Sequence, residues 1–177
     1  MADDHALWEL IRTRDASAFD SFYRENALRL QAFLRQLVGS RQAAEDVMQE
    51  TFAQMWQRPN GFEPNRGTLR GYLYGIGRKR AAEWWRKQRP QNSGSENHAD
   101  ECVAKTEIDS MVADVLRRLP EEQRTLLWLR EVEGQSYAEL AQILEIPVGT
   151  VRSRLFAARE QLRSIWKGSE QGGKEGA

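Results

Sequence analysis

The sequence contains few of the residues from which disulfide frameworks and metal sites are built. It has one cysteine, Cys102, and two histidines, His5 and His98. A single cysteine excludes an internal disulfide and fits a reducing cytoplasm. His98 and Cys102 are four residues apart, but two ligands in a polar segment do not make a zinc site, so we expect no metal and no other cofactor.

Catalytic motifs and long hydrophobic runs are missing as well. The sequence has no Gly-rich phosphate loop and no G-x-S-x-G motif, so we expect the protein not to be an enzyme. No run approaches the ~18 apolar residues that would cross a bilayer. The first residues, MADDHALWEL, are acidic and lack the basic-then-apolar pattern of a signal peptide. We therefore expect a cytoplasmic protein without membrane insertion.

The chain also lacks a net charge, with 26 Lys and Arg against 26 Asp and Glu. A protein that only grips phosphates is expected to be basic, unless its charges are segregated along the chain. Residues 66–90 carry eight basic residues against one acidic residue, a net charge of +7. Residues 91–113 carry one basic residue against five acidic residues, a net charge of −4. Residues 149–163 carry four basic residues against one acidic residue, a net charge of +3. Two basic blocks therefore flank an acidic segment.

Apolar residues recur at helical spacing throughout, which predicts an all-α fold of two helical domains. Residues 58–68 contain two prolines and two glycines and are predicted to form a loop. The polar residues 90–105 are predicted to be a flexible acidic linker. The predicted first domain covers residues 1–89, the second covers residues 106–167, and residues 168–177 are predicted to be a disordered tail.

Residues 44–56, AEDVMQETFAQMW, have an apolar stripe at helical spacing and an acidic face opposite it. That face contains Asp46, Gln49 and Glu50. It could dock on a basic partner surface, but on these residues alone a solvated helix face is the better interpretation.

Residues 67–87 alternate aromatic with basic residues. Stacking of aromatic rings on unpaired bases, combined with basic groups on phosphates, would suit single-stranded nucleic acid. The alternative is that most of the aromatic residues belong to the core, and we expect Tyr72 to be the core residue among them. Three glycines in this segment, Gly71, Gly75 and Gly77, cost helix stability and suggest close backbone approaches.

Residues 137–160, YAELAQILEIPVGTVRSRLFAARE, have the apolar pattern of a helix-turn-helix, and Ser136 followed by Glu139 has the spacing of a capping box for its first helix. Leu140, Val151 and Leu155 would face the core. The start of the second helix, where a recognition helix presents its base-reading side chains, then contains Thr150, Arg152, Ser153 and Arg154. Arginine can bridge guanine O6 and N7, and Ser or Thr hydroxyls suit phosphates. The alternative is a pair of helices with a basic, solvated face.

Together these segments resemble the extracytoplasmic-function (ECF) class of bacterial RNA polymerase sigma factors of the sigma-70 family, over residues 19–163. Residues 46–56 match the D-x-x-Q-E-x-F-x-x-x-W signature of its region 2.2, and residues 70–87 resemble regions 2.3–2.4. Residues 116–163 look like region 4, with its LP-x-x-x-R entry and its G-T-V-x-S-R-L recognition helix.

The resemblance implies an initiation factor that binds core RNA polymerase and directs it to promoters, in the bacterial cytoplasm. It implies core binding through Asp46, Gln49, Glu50 and Phe52. It implies melting and reading of the −10 element through Arg66, Arg70, Tyr74, Arg78, Lys79 and Trp84. It implies reading of the −35 element through Thr150, Arg152, Ser153, Arg154 and Arg159.

Three residues depart from the family pattern: Lys79 replaces the usual Asn, Glu83 replaces the usual Asp, and Glu145 replaces a common turn Gly. An anti-sigma partner is common for the class, although no residue demonstrates one. Two alternatives stay open, a stand-alone helix-turn-helix regulator that binds duplex DNA without polymerase, and a protein-interaction module.

Overall fold

The computed structural model describes residues 4–58, 60–88, 115–116 and 118–172. All regular structure in these residues is helical, which confirms the predicted all-α class. The chain divides into two compact units, one formed mainly by the helices before residue 89 and one mainly by the helices after residue 118. The predicted linker, with His98 and Cys102, lies outside the described residues, so its boundaries stay predictions. Nowhere in the described part is a helix long and apolar enough to cross a membrane.

Four helices form the N-terminal unit: α1 (Asp4–Arg12), α2 (Ala16–Val38), α3 (Arg41–Gln57) and α4 (Leu69–Gln88). The ends of α2 follow from local chemistry, because the Asp15 carboxylate accepts hydrogen bonds from two backbone amides of the first turn. At its C-terminus, Gly39 adopts a left-handed conformation, with φ of 76°. The Ser40 hydroxyl then accepts from the amide of Ala43 and starts α3. Gly39 and Ser40 therefore form a helix end that is followed directly by a helix start.

Helices α2, α3 and α4 pack against one another around an aromatic and aliphatic core. Gly77 lies where α4 approaches α2, because a Cβ atom there would come within 3.2 Å of Leu30 and 3.3 Å of Leu34. A Cβ atom on Gly75 would meet nothing within 4 Å among the described atoms. The expectation of a close approach is thus confirmed for Gly77 and wrong for Gly75.

The predicted loop between α3 and α4 contains a 3₁₀ turn, Pro64–Arg66, and is held by α1. The ring of Trp8 packs edge-on against Phe62 and Tyr72, with centroids 5.6 and 6.1 Å away. Asp4 accepts a hydrogen bond of 2.8 Å from the amide of Leu69, which is one of the unpaired donors at the start of α4. The first helix therefore fixes both the loop and the beginning of α4.

The C-terminal unit contains α5 (Glu121–Leu127), a π-helical segment (Trp128–Val132), α6 (Tyr137–Leu144) and α7 (Val148–Gly172). The predicted capping box at the start of α6 is confirmed: the amide of Ser136 donates to the Glu139 carboxylate and the amide of Glu139 donates to the Ser136 hydroxyl. Leu140, Val151 and Leu155 are buried, as the helix-turn-helix pattern predicted. Helix α7 continues to Gly172, so residues 168–172 of the predicted disordered tail are helical.

Candidate functional site

The polar face of α3 is exposed, as expected, but one of its predicted contact residues is not part of it. Asp46, Gln49 and Glu50 are exposed. Phe52 is only 3% exposed and packs among three rings of α2, at 4.6 Å from Tyr23 and at just over 6 Å from Phe19 and Phe22. Phe52 cannot touch a partner directly and supports the face from inside.

Arg80, which the sequence pattern did not single out, connects α4 to α3. Its Nε donates to the side-chain oxygen of Gln54 at 2.7 Å, and one terminal nitrogen lies 3.0 Å from Glu83 and 3.9 Å from Glu50. Glu83, one of the three departures from the family pattern, therefore pairs with an arginine one turn earlier. A half-buried arginine contact of this kind has no sequence signal, because the basic run makes all of its members look alike.

The aromatic residues of α4 differ from the prediction. Tyr74 is fully buried and packs on Phe33 with ring centroids 5.0 Å apart, so it cannot stack on a base. Tyr72, which was expected in the core, is instead half-buried beside the loop, and burial raises the pKa of its hydroxyl. Helical spacing alone cannot distinguish two tyrosines that lie two positions apart when α4 has neighbours on more than one side.

The remaining candidates on α4 lie at or near the surface. Lys79 is exposed, while Arg70, Arg78 and Trp84 are half-buried. The indole of Trp85 donates to the carbonyl oxygen of Leu37 at 2.9 Å, which anchors that ring, and Trp84 packs edge-on against it at 5.0 Å. The backbone of Arg66 ends the 3₁₀ turn, and its side chain lies outside the described atoms.

The first turns of α7 separate core from surface as the helix-turn-helix pattern predicted. Val151, Leu155 and Ala158 are buried, whereas Arg152 and Arg154 are exposed. Ser153 is also exposed, with its hydroxyl donating to the backbone oxygen of Thr150 at 3.1 Å, and Thr150 is half-buried. The predicted −35 side chains of these turns are therefore accessible, Thr150 in part.

Two of the predicted −35 arginines have carboxylate partners on other elements of the unit. Arg154 lies 3.0 Å from Glu122 of α5, and Arg159 lies 2.7 Å from Glu131 of the π-helical segment. The hydrogen bond to Glu131, and to a smaller extent the nearby Tyr137 hydroxyl, raises the pKa of Arg159 above its usual value. Exposed ion pairs contribute little to stability, so these arginines can exchange their partners for phosphates.

Phe156 is a further exposed residue of α7 that the sequence interpretation did not include. It is 68% exposed and lies four positions, about one helical turn, after Arg152. A large apolar side chain in that position can contact a thymine methyl group in the major groove. Its four-residue spacing from Arg152 was the sequence signal that could have identified Phe156.

Comparison with known proteins identifies both units. Residues 22–91 match the family model for sigma-70 region 2, and residues 110–162 match the model for sigma-70 region 4. The ECF RNA polymerase sigma-E factor of Haemophilus influenzae is 30% identical, over 91% of this chain and 94% of the relative. The RNA polymerase sigma-H factor of Pseudomonas aeruginosa is 31% identical, over 90% of this chain and 91% of the relative.

A solved structure agrees with these relatives. The sigma factor RpoE of Bartonella quintana, in complex with the anti-sigma factor NepR, has a TM-score of 0.64 and 25% identity, covering 83% of this chain and 97% of that chain. The relatives are sigma factors, which are transcription factors and not enzymes. The two matched regions, in this order, and relatives that align over most of their length show that the chain belongs to the ECF sigma factors of the sigma-70 family.

Proposed function

We propose a division of labour among three surfaces of this transcription initiation factor, which binds core RNA polymerase and directs it to promoters. In this proposal the α3 face binds core, α4 and its adjoining loop open and read the −10 element, and the start of α7 reads the −35 element. The polymerase supplies the catalysis, and the sigma factor acts with it in the bacterial cytoplasm. The observation that carries the proposal is the separation of buried Val151 and Leu155 from exposed Arg152 and Arg154 on α7.

The α3 surface supports core binding because Asp46, Gln49 and Glu50 are exposed on a helix that is fixed from behind by Phe52. Three polar groups on one rigid face suit a basic helical surface. Replacing Asp46 with Arg should weaken core binding by about tenfold or more, since a like charge would face the partner. The matched control is Glu25→Arg, the same charge reversal at an exposed acid of α2. Unchanged core affinity for Asp46→Arg would remove α3 from the interface.

The α4 surface suits unpaired DNA through Arg66, Arg70, Arg78, Lys79 and Trp84, with Tyr74 supporting them from the core. Trp84 offers a ring that can stack on a base, and the basic groups can hold the backbone. The loop before α4 is held by Trp8 and Asp4, so a flipped base would meet a preformed wall. Capture of such a base offsets the cost of unpairing it.

The −35 surface consists of Thr150, Arg152, Ser153, Arg154 and Arg159. Replacing Arg152 with Ala should lower promoter activity by roughly tenfold, because a bidentate contact to a base is worth about 1–3 kcal/mol. Core affinity should be unaffected. The matched control is Arg163→Ala, which removes an exposed arginine of the same helix beyond its first turns. A loss of core affinity in Arg152→Ala would contradict this division of labour.

The test of the whole proposal is transcription in vitro with purified core polymerase on fragmented genomic DNA, with and without the protein, followed by sequencing of RNA 5′ ends. New start sites that share paired −35 and −10 elements are expected. With folded protein and active core, no new starts would favour the stand-alone regulator, which would bind duplex operators by itself. An anti-sigma factor is a further proposed partner, because a similar sigma factor is solved in complex with one.

A further inference from the structure

Three arginines converge on the ring of Tyr137, the first residue of α6. The guanidinium carbon of Arg130 lies 5.0 Å from the ring centroid, and that of Arg152 lies 5.9 Å away. Arg159 lies close to the hydroxyl group of the same residue, while its side-chain hydrogen bonds go to Glu131. These arginines come from the π-helical segment and from two turns of α7, so one tyrosine connects three parts of the C-terminal unit.

The ring is fixed in position. The capping box of Ser136 and Glu139 sets the start of α6, and Tyr137 is half-buried. Arg130 is itself anchored, because it donates to the backbone oxygen of Gln135 at 2.8 Å. Arg159 is held by Glu131. The ring therefore has two anchored neighbours and a fixed backbone.

Arg152 differs from the other two arginines. Within the described part of the chain, its recorded side-chain contact is the face of Tyr137, and no ion pair is recorded for it. An arginine that reads a base must adopt one of many rotamers, and this ordering opposes binding. Contact with a fixed ring restricts the side chain before DNA arrives, without neutralising the charge or occupying its hydrogen-bond donors.

We propose that Tyr137 is a positioning residue for −35 recognition, whose ring holds Arg152 in the orientation that reads the base. The inference rests on the proposed function of α7 and names a residue outside the recognition helix that governs its specificity. Tyr137 itself touches no base in this proposal, so its replacement changes discrimination at the position that Arg152 reads and not at the others.

The test uses the full-length protein assembled with core polymerase and a promoter found by 5′-end sequencing. For each −35 position, the affinity for the original duplex is divided by the affinity for single-base variants, which gives a discrimination ratio. Arg152→Ala identifies the position whose ratio collapses. Tyr137→Leu, which removes the ring, should lower that same ratio about two- to fivefold. Tyr137→Phe, which keeps the ring and removes the hydroxyl, should retain a ratio close to that of the unmodified protein.

A double substitution separates positioning from general support of the fold. If Tyr137 acts through Arg152, adding Tyr137→Leu to Arg152→Ala should cause no further loss of the ratio. Circular dichroism verifies that each variant is folded. An unchanged ratio in folded Tyr137→Leu, or an equal loss of affinity for every −35 variant, would overturn the inference. If the unmodified protein starts no transcription with core, the proposed function itself fails, which is a separate result.

Discussion

Helices α4 and α7 have similar compositions, with basic residues interspersed with aromatic and small ones, but they bury different amounts of their surface. In α4, seven residues are buried, including the whole of Tyr74, because α2 and α3 both pack on it. In the first turns of α7, burial is confined to Val151, Leu155 and Ala158, while Arg152 and Phe156 are exposed. The same basic and aromatic pattern thus belongs to a more buried helix where several helices pack on it, and to an exposed surface where few do.

The two units also differ in the hydrogen bonding of their buried amide side chains. In the N-terminal unit, the side-chain amide of Asn26 donates to the backbone oxygen of Phe22, and the hydroxyl of Thr51 donates to the backbone oxygen of Val47. In the C-terminal unit, Gln135 is fully buried, and neither its amide nitrogen nor its amide oxygen has a hydrogen-bond partner among the described atoms. An unpaired buried amide costs stability, so Gln135 is a position at which the C-terminal unit can be stabilised.

The largest expected effect is at Tyr74. Replacing it with Ala should destabilise the N-terminal unit by about 3–5 kcal/mol, as other large-to-small substitutions of buried aromatic residues do. Because a two-unit protein need not unfold in one step, hydrogen exchange of the α2 and α4 amides is the measurement to use. Tyr74→Phe is the matched control and should change stability far less. If Tyr74→Ala keeps the hydrogen-exchange protection of these amides but opens promoters poorly, then Tyr74 reads DNA. In that case α4 would resemble α7, because its functional residues would contact DNA directly.

A smaller gain is expected at Gln135. Replacing it with Met, which has a similar shape and no unpaired amide, should stabilise the C-terminal unit by about 1–2 kcal/mol. Hydrogen exchange of the α6 and α7 amides reports it, and Asn26→Leu in the other unit is the contrasting control, since it removes a paired amide. A loss of stability in Gln135→Met would mean that the amide is satisfied, and the difference between the buried amides of Asn26 and Gln135 would disappear.

The two glycines of α4 test its packing on a finer scale. Gly75→Ala should stabilise the helix by about 1 kcal/mol, because alanine is the better helix former and the new Cβ atom meets open space. Gly77→Ala should gain less or lose stability, since its Cβ atom would come within 3.2 Å of Leu30. Thermal melting of the two variants in parallel gives the comparison. Equal gains would show that α4 and α2 have room to separate.

The sequence predicted the features that depend on local chemistry. The all-α class, the Ser136–Glu139 capping box and the burial of Val151 and Leu155 follow from residue spacing and from short-range hydrogen bonds. The errors concern Tyr72, Tyr74, Phe52 and Gly75, whose environments depend on which neighbours pack on a helix. Those neighbours are set by residues far away in the chain, such as Trp8 beside Tyr72, and periodicity within one helix carries no information about them.

For the candidate site, too, the features that depend on local spacing could be predicted and those that depend on distant neighbours could not. The exposed arginines of α7 could be predicted because a helix packed on one side obeys a simple inside–outside rule. Their partners could not be predicted, since Glu122, Glu131 and Tyr137 come from other elements. On α4, Lys79 is exposed, as a DNA contact would require, and its role stays a prediction. The prediction missed Arg80, which lies between α3 and α4.

The smallest expected effect concerns the turn before α7, where Glu145 occupies the position at which the family commonly has glycine. Its φ is 57°, and the amide of Ile146 donates to the carbonyl oxygen of Ala141, which is a Schellman helix ending. Arg14 ends α1 in the same way, with φ of 70°, but its guanidinium also stacks on Trp56 at 5.0 Å. Two helix ends, one in each part of the chain, thus share a strained backbone and differ in what the side chain contacts.

Replacing Glu145 with Gly should stabilise the protein by about 0.5–1 kcal/mol, because the left-handed strain exceeds the entropy that glycine adds to the unfolded chain. Arg14→Gly should gain nothing, since relief of the same strain is offset by loss of the contact with Trp56. Glu145→Gln, which removes the charge and keeps the Cβ atom, shows whether a change arises from the backbone. Thermal melting could instead find that Glu145→Gly is no more stable than the unmodified protein and that Glu145→Gln is less stable. The glutamate side chain would then stabilise this turn, and the replacement of the family's glycine would increase the stability of the protein rather than strain it.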